Sequence, residues 1–250
     1  MQMRIIKSKW VYLLIGIFCS NGFALNLIGP SDAELLKGHW EFGADYTKGE
    51  IGLDFDASSG SGANFDADET DIETISARIG YGLTDSFEMF TRLGYAQFDD
   101  SENRRDLNTD GYNCGLGFKT TVDEYYLLKF GIQAQVNWLD TNGDWTRSTR
   151  TGDADVKMAQ IFIAGSANYQ LADNWFMYGG PFLYLEKGEM KYDEKSPSTS
   201  ISEKYDIDNQ SFFGGYVGFQ VHLPAALKLN LEYQITPSDS VFALSLVWRH

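Results

Sequence analysis

The 250 residues carry 35 acidic against 20 basic side chains, a net charge of −15 at pH 7, with 15% aromatic residues and 25 glycines. So negative a balance opposes nucleic-acid binding. A mean hydropathy of −0.29, with no apolar run of the roughly 20 residues a spanning helix needs, excludes a helical membrane protein.

The chain opens on Arg4, Lys7 and Lys9, continues through the apolar residues 10–18, and reaches Gly22-Phe23-Ala24. A basic, an apolar and a small-residue region in that order read as a secretory signal peptide cleaved after Ala24. Cys19 does not make it a lipoprotein leader, because Phe18 precedes it where a small residue is needed. The division is then a leader at 1–24 and one domain at 25–250, with no Pro-rich or Ser-rich linker inside it. Removing the leader leaves 17 basic against 35 acidic residues, a net charge of −18, and a single thiol, Cys114. No intramolecular disulfide can then form, even in an oxidising compartment.

Strand patterns follow in chain order. Trp40, Phe42, Ala44 and Tyr46 alternate first, then Ile75, Ala77, Ile79, Tyr81 and Leu83, then Phe87, Met89, Thr91, Leu93 and Tyr95. Tyr112, Cys114, Leu116 and Phe118 come next. The clearest case runs through Tyr126, Leu128, Phe130, Ile132, Ala134, Val136 and Trp138, with polar or small residues at most intervening positions. Period two makes a strand with one apolar face, and about 13 residues exceed the five or six usual in soluble sheets. Ile161, Ile163, Ala167 and Tyr169 form a sixth strand. Residues 175–185 form a seventh whose phase is undefined, since both parities are apolar. Phe213, Val217, Phe219 and Val221, then Leu227, Leu229, Leu231 and Tyr233, then Phe242, Leu244, Leu246 and Trp248 complete about ten, within a range of 8 to 12.

Connections alternate in length. Those at 82–86, 121–124, 171–174 and around Pro224 are short, whereas 54–71, 99–111, 140–155 and 186–209 are long and polar. Aromatic residues fall near both sets, as two interfacial belts would require. The fold class expected is all-β, a closed antiparallel up-and-down transmembrane barrel with short periplasmic turns and long external loops. The final strand, 241–248, should close the sheet against residues 40–46. The run from Tyr81 to Phe90, followed by Arg92-Leu93-Gly94-Tyr95, resembles the periplasmic hairpins of small bacterial outer-membrane barrels of the OmpA-transmembrane and porin-like superfamily. The alternation ending at Trp248 resembles that superfamily's terminal assembly signal, although Arg249 and His250 follow where the family usually stops on the aromatic. The resemblance implies a location in the outer membrane of a Gram-negative cell envelope. It also implies recognition by the barrel assembly machinery through the last strand.

With the apolar parity facing lipid, Arg78, Glu88, Arg92, Lys119, Lys129, Lys228 and Glu232 form an expected lumen charge cluster, since Lys or Arg at midplane on the lipid side costs about 2–4 kcal/mol. The Thr84-Asp85 turn places Arg78 diagonal to both Glu88 and Arg92, an expected buried ion pair. Inward glycines at 80, 82, 94, 115, 117 and 131 leave space or mark bends. Two functions therefore compete: porin-like passage of small solutes, and a structural or surface-interaction role around a filled, salt-bridged core. A soluble lipocalin-like binder is the alternative outside the membrane.

Arg104, Arg105, Arg147 and Arg150 are the basic residues of the long loops and the candidates for contact with lipopolysaccharide phosphates. Asp140, Asn142 and Asp144 show the first three spacings of an EF-hand loop, but Trp145 and Thr151 occupy its glycine and glutamate places, so no metal site is expected. His39, His222 and His250 all fall at the periplasmic end, which leaves no histidine base at the outer rim and points away from an enzyme. No cofactor and no nucleic-acid partner are expected, and the barrel is read as a monomer.

Overall fold

A computed structural model describes residues 26–59, 65–100, 107–147 and 150–250. The side chains of 59, 65–69, 100, 107 and 147 lie outside that description. The proposed signal peptide, Arg104 and Arg105 also fall outside the described residues. Among the described residues eleven antiparallel strands form one sheet: β1 (Trp40–Ser59), β2 (Phe65–Thr84), β3 (Phe87–Asp100), β4 (Leu107–Tyr125), β5 (Leu128–Arg147), β6 (Arg150–Ala172), β7 (Trp175–Ser196), β8 (Thr199–Asn209), β9 (Phe213–Leu223), β10 (Leu227–Ile235) and β11 (Ser240–Arg249). Successive strands pair through turns of two to a few residues at the end where Trp40 begins and Arg249 ends. β11 closes on β1, with Trp248 opposite Phe42 and Leu244 opposite Tyr46.

The barrel has two cross-sections. At the level of its short turns the ring has ten strands, β1 to β7 and β9 to β11, with β9 paired to the first half of β7. Further up, β8 leaves the line of β9 and inserts between the second half of β7 and the second half of β1, so the ring there has eight strands. The β10–β11 hairpin ends beneath that step. Its Asp239 accepts hydrogen bonds from the Gly52 amide at 2.9 Å and the Thr236 hydroxyl at 2.5 Å, and it also accepts from the Tyr184 hydroxyl. The Ser238 hydroxyl meets Ser211 at 2.9 Å, and the Gln210 amide reaches the Gly52 carbonyl at 3.3 Å. The seam between the two rings is thus stitched shut by polar contacts.

Polarity reverses at the same height. In the lower ring the outward side chains include Phe42, Ile79, Leu93, Leu116, Ile132, Ile163, Leu183, Val217, Leu231 and Leu246, all exposed. Inward positions there are mostly polar. In the upper ring Ile51, Leu53, Phe55, Ile72, Phe98, Leu139, Val156, Met158, Met190, Tyr205 and Ile207 pack into one buried apolar core. Their outward neighbours are Lys48, Asp71, Glu73, Asp140, Asp155, Lys157, Lys187 and Glu189. An eight-stranded ring is just wide enough for side chains to fill it, so this part is built like a water-soluble barrel standing on a membrane barrel.

This arrangement corrects the expectation of long external loops. Most of residues 140–155 and 186–209 are strand, with Asp140, Asn142 and Asp144 on the outer face of β5 opposite Lys157, Asp155 and Asp153 of β6. The one-three-five spacing of acidic residues is the strand period of two, with alternate side chains turned to water. The seventh strand resisted phasing for a different reason. Its inward Tyr178, Phe182 and Tyr184 join Phe162 and Tyr216 in a buried aromatic cluster, so both of its faces are apolar.

Candidate functional site

The lumen of the lower ring is occupied by the chain itself. Residues 26–38, which form no regular strand, run down its interior, and Leu27, Ile28 and Ser31 are fully buried there. Wall side chains hold this segment chiefly by its backbone. The Glu232 carboxylate accepts from the amides of Ile28 at 2.9 Å and Gly29 at 2.7 Å, and Glu88 accepts from those of Glu34 and Leu35 at 2.9 and 3.0 Å. Arg92 and Lys119 donate to the carbonyls of Leu27 and Pro30 at 2.7 and 2.6 Å. Lower down, the Lys37 amide donates to Asp85 at 3.0 Å and the Gly38 amide to the Gly82 carbonyl at 2.8 Å. The segment also crosses wall glycines: a Cβ at Gly131 would stand 2.2 Å from the Asp32 nitrogen, and one at Gly82 would stand 2.2 Å from the Leu36 carbonyl oxygen.

Ion pairs tie the remaining charges together. Arg78 bonds Glu41 at 2.7 Å and lies 3.7 Å from Glu88. Arg92 bonds Asp45 at 2.8 Å and Gln135 at 2.7 Å. Lys228 bonds Glu34 of the inserted segment at 2.7 Å and approaches Glu41 at 3.4 Å, and Arg249 reaches Glu34 at 3.0 Å. The Phe90 ring sits among three cations, with Arg78 at 4.5 Å, Arg92 at 4.8 Å and Lys119 at 6.0 Å from its centre. Their charge is drawn to the ring face. Above this polar layer a space of about 10 Å³ lies between Asn26, Ile72, Asn113, Leu139 and neighbours.

Six of the seven expected lumen charges, Arg78, Glu88, Arg92, Lys119, Lys228 and Glu232, are buried inside the barrel. Lys129 instead sits at the short-turn mouth, 3.4 Å from Glu124, with nearly half its side chain exposed. The expected buried pair of Arg78 with Glu88 is present at 3.7 Å. The register is corrected: Arg78 lies directly opposite Arg92, not diagonal to it, and its shorter ion pair is with Glu41, across on β1. Glu41 and Asp45 escaped the sequence reading, although the outward phase of Trp40, Phe42 and Ala44 puts them inside. Arg249, read as a departure from the terminal pattern, points inward by the same parity. Among the loop arginines, Arg147 ends β5 opposite Arg150, and Arg150 is exposed and bonds Glu194 at 3.0 Å. On the outer face above the apolar belt, Lys204 bonds Glu189 at 2.6 Å and holds that carboxyl below its usual range. Among the described residues no three of His, Cys, Asp and Glu converge where a metal ion could be held.

The sequence of residues 92–249 matches the family model described as outer membrane protein beta-barrel domain. The chain belongs to that family. Family membership and the lipid-facing exterior place it in the outer membrane and rule out the soluble lipocalin-like alternative. Comparison with curated protein sequences returns no match. Among solved structures, the chain is similar to the outer membrane protease OmpT of Escherichia coli at 8% identity, with a TM-score of 0.48 over 83% of this chain and 94% of the other. It is similar to OprG of Pseudomonas aeruginosa at 10% identity, with a TM-score of 0.43 over 86% and 97%. It is also similar to Ail, the attachment invasion locus protein of Yersinia pestis, at 13% identity, with a TM-score of 0.32 over 86% and 100%. The first of these corrects the expectation that the chain is no enzyme, since the barrels it is similar to include a protease.

Proposed function

We propose that the protein is a closed outer-membrane barrel with a structural and surface-interaction role, in which a rigid acidic barrel extension stands above the bilayer. The inserted segment 26–38 is the observation that carries this reading: it occupies the lumen, and its backbone amides and carbonyls satisfy the wall's charged side chains. A pore for small solutes would require those contacts to be broken and the apolar upper core to be opened as well. In this reading the partners are outer-membrane lipid and lipopolysaccharide around the belt, and the barrel assembly machinery at β11. The barrel acts as a monomer, exported by the leader at 1–24. Purified protein in planar lipid bilayers tests it: no conductance steps are expected, and reproducible steps from the wild-type protein overturn it in favour of the porin-like alternative.

A further inference from the structure

At the short-turn end a cavity of about 340 Å³ lies between the inserted segment and the wall formed by β5, β6, β7 and β9. Its two cations are already matched, Arg249 to Glu34 at 3.0 Å and Lys129 to Glu124 at 3.4 Å. Asp32 is different. It is 2% exposed, forms no ion pair among the described residues, and takes a single side-chain hydrogen bond, from the Asn168 amide nitrogen at 3.2 Å. Asn168 is itself 5% exposed and lines the cavity, and its Oδ1 is buried without a hydrogen-bond partner. At the inner end of the cavity stand a carboxylate and, buried beside it, an amide oxygen without a hydrogen-bond partner, both acceptors that call for a donor. Aromatic rings line it as well. Phe176 packs against the His222 ring at 4.6 Å with the two planes tilted by 36°, and Tyr126 is exposed on a turn residue whose φ is +59°.

We propose that this cavity binds a small primary-amine cation with a short hydrocarbon body, entering from the short-turn side. Its ammonium donates to Asn168 Oδ1 and to the Asp32 carboxylate, while its hydrocarbon lies against Tyr126 and Phe176. The charge pattern favours this occupant over a carboxylate, since both lining cations are paired and the acid at the inner end is not.

Isothermal titration of the full-length barrel in detergent with n-pentylamine tests the site, with n-pentanol and pentanoate as controls and heat-modifiable gel migration as the check on folding. Saturable binding of the amine is expected, with neither control bound. Asn168→Leu should weaken it about tenfold, the size of one lost hydrogen bond to a charge. Lys129→Gln, a substitution at the exposed rim, should strengthen it by about threefold by removing a like charge. No saturable heat from the amine, equal binding of pentanol, binding of pentanoate in its place, or weaker amine binding by Lys129→Gln overturns the proposal. None of these outcomes depends on whether the lumen conducts.

Discussion

Replacing Gly131 with valine tests whether the inserted segment is truly packed against the wall. The new Cβ would stand 2.2 Å from the Asp32 nitrogen, 2.3 Å from the Ser31 carbonyl carbon and 2.4 Å from the Asp32 Cα, against an ordinary contact of at least 3.4 Å. All three are backbone atoms, so no rotamer change relieves the clash, and the segment must retreat by about 1 Å or more. Four hydrogen bonds depend on its position: Ser31 N to Ser166 at 2.9 Å, Ser31 Oγ to Tyr216 at 2.8 Å, Ala33 N to Thr121 at 3.1 Å, and Asn168 to Asp32 at 3.2 Å. At about 0.5–1.5 kcal/mol net for each, their loss amounts to ~2–6 kcal/mol. Hydrogen–deuterium exchange of residues 26–38 in detergent should then be faster by ~30-fold or more, given tenfold per ~1.4 kcal/mol. Gly165→Ala is the control, because a Cβ on that β6 residue meets nothing nearer than 3.9 Å. It should leave exchange unchanged. Equal protection of the segment in wild type and Gly131→Val would refute the packing described.

Two further substitutions probe the two rings separately. Arg92→Leu removes the partner of buried Asp45 together with the bonds to Gln135 and the Leu27 carbonyl. Leaving one charge of a buried pair should destabilise the barrel by about 3–5 kcal/mol in reversible denaturant unfolding, whereas a loss below ~1 kcal/mol would show Arg92 to be solvated, as in an open pore. In the upper ring, Phe98→Ala should cost about 3–5 kcal/mol by opening a cavity in a close-packed core. A near-neutral result would mean that this ring is not a sealed core.

Much of the barrel was legible because a bilayer imposes a simple rule on alternate residues. The run from Leu128 to Trp138 shows its lipid face directly, and 241–248 gave both the closing strand and its partner, β1. The inserted segment was illegible for a physical reason. The wall grips it largely by the carbonyls of Leu27 and Pro30 and the amides of Ile28, Gly29, Glu34 and Leu35, groups that most residue types supply, so no side-chain pattern records the fit. The space left by Gly82 and Gly131 was visible, but what fills it was not. The upper ring was misread because Asp54 and Asp56, or Asp140 and Asp144, look like loop composition. The signal lay in the intervening residues, Ile51, Leu53 and Phe55, which are apolar at the parity that carries Glu41 and Asp45 lower on the same strand.

The height at which polarity reverses also acts as a depth gauge. A slide of two residues toward the short-turn side, about 6.6 Å along a strand, would bring Lys48, Glu73 and Lys157 into hydrocarbon around the wall. The opposite slide would lift outward side chains such as Tyr46, Tyr95 and Trp138 into water. Both displacements are opposed by many strands at once. The protein therefore carries its own vertical address in the membrane, and a bilayer of different thickness would have to deform to meet it.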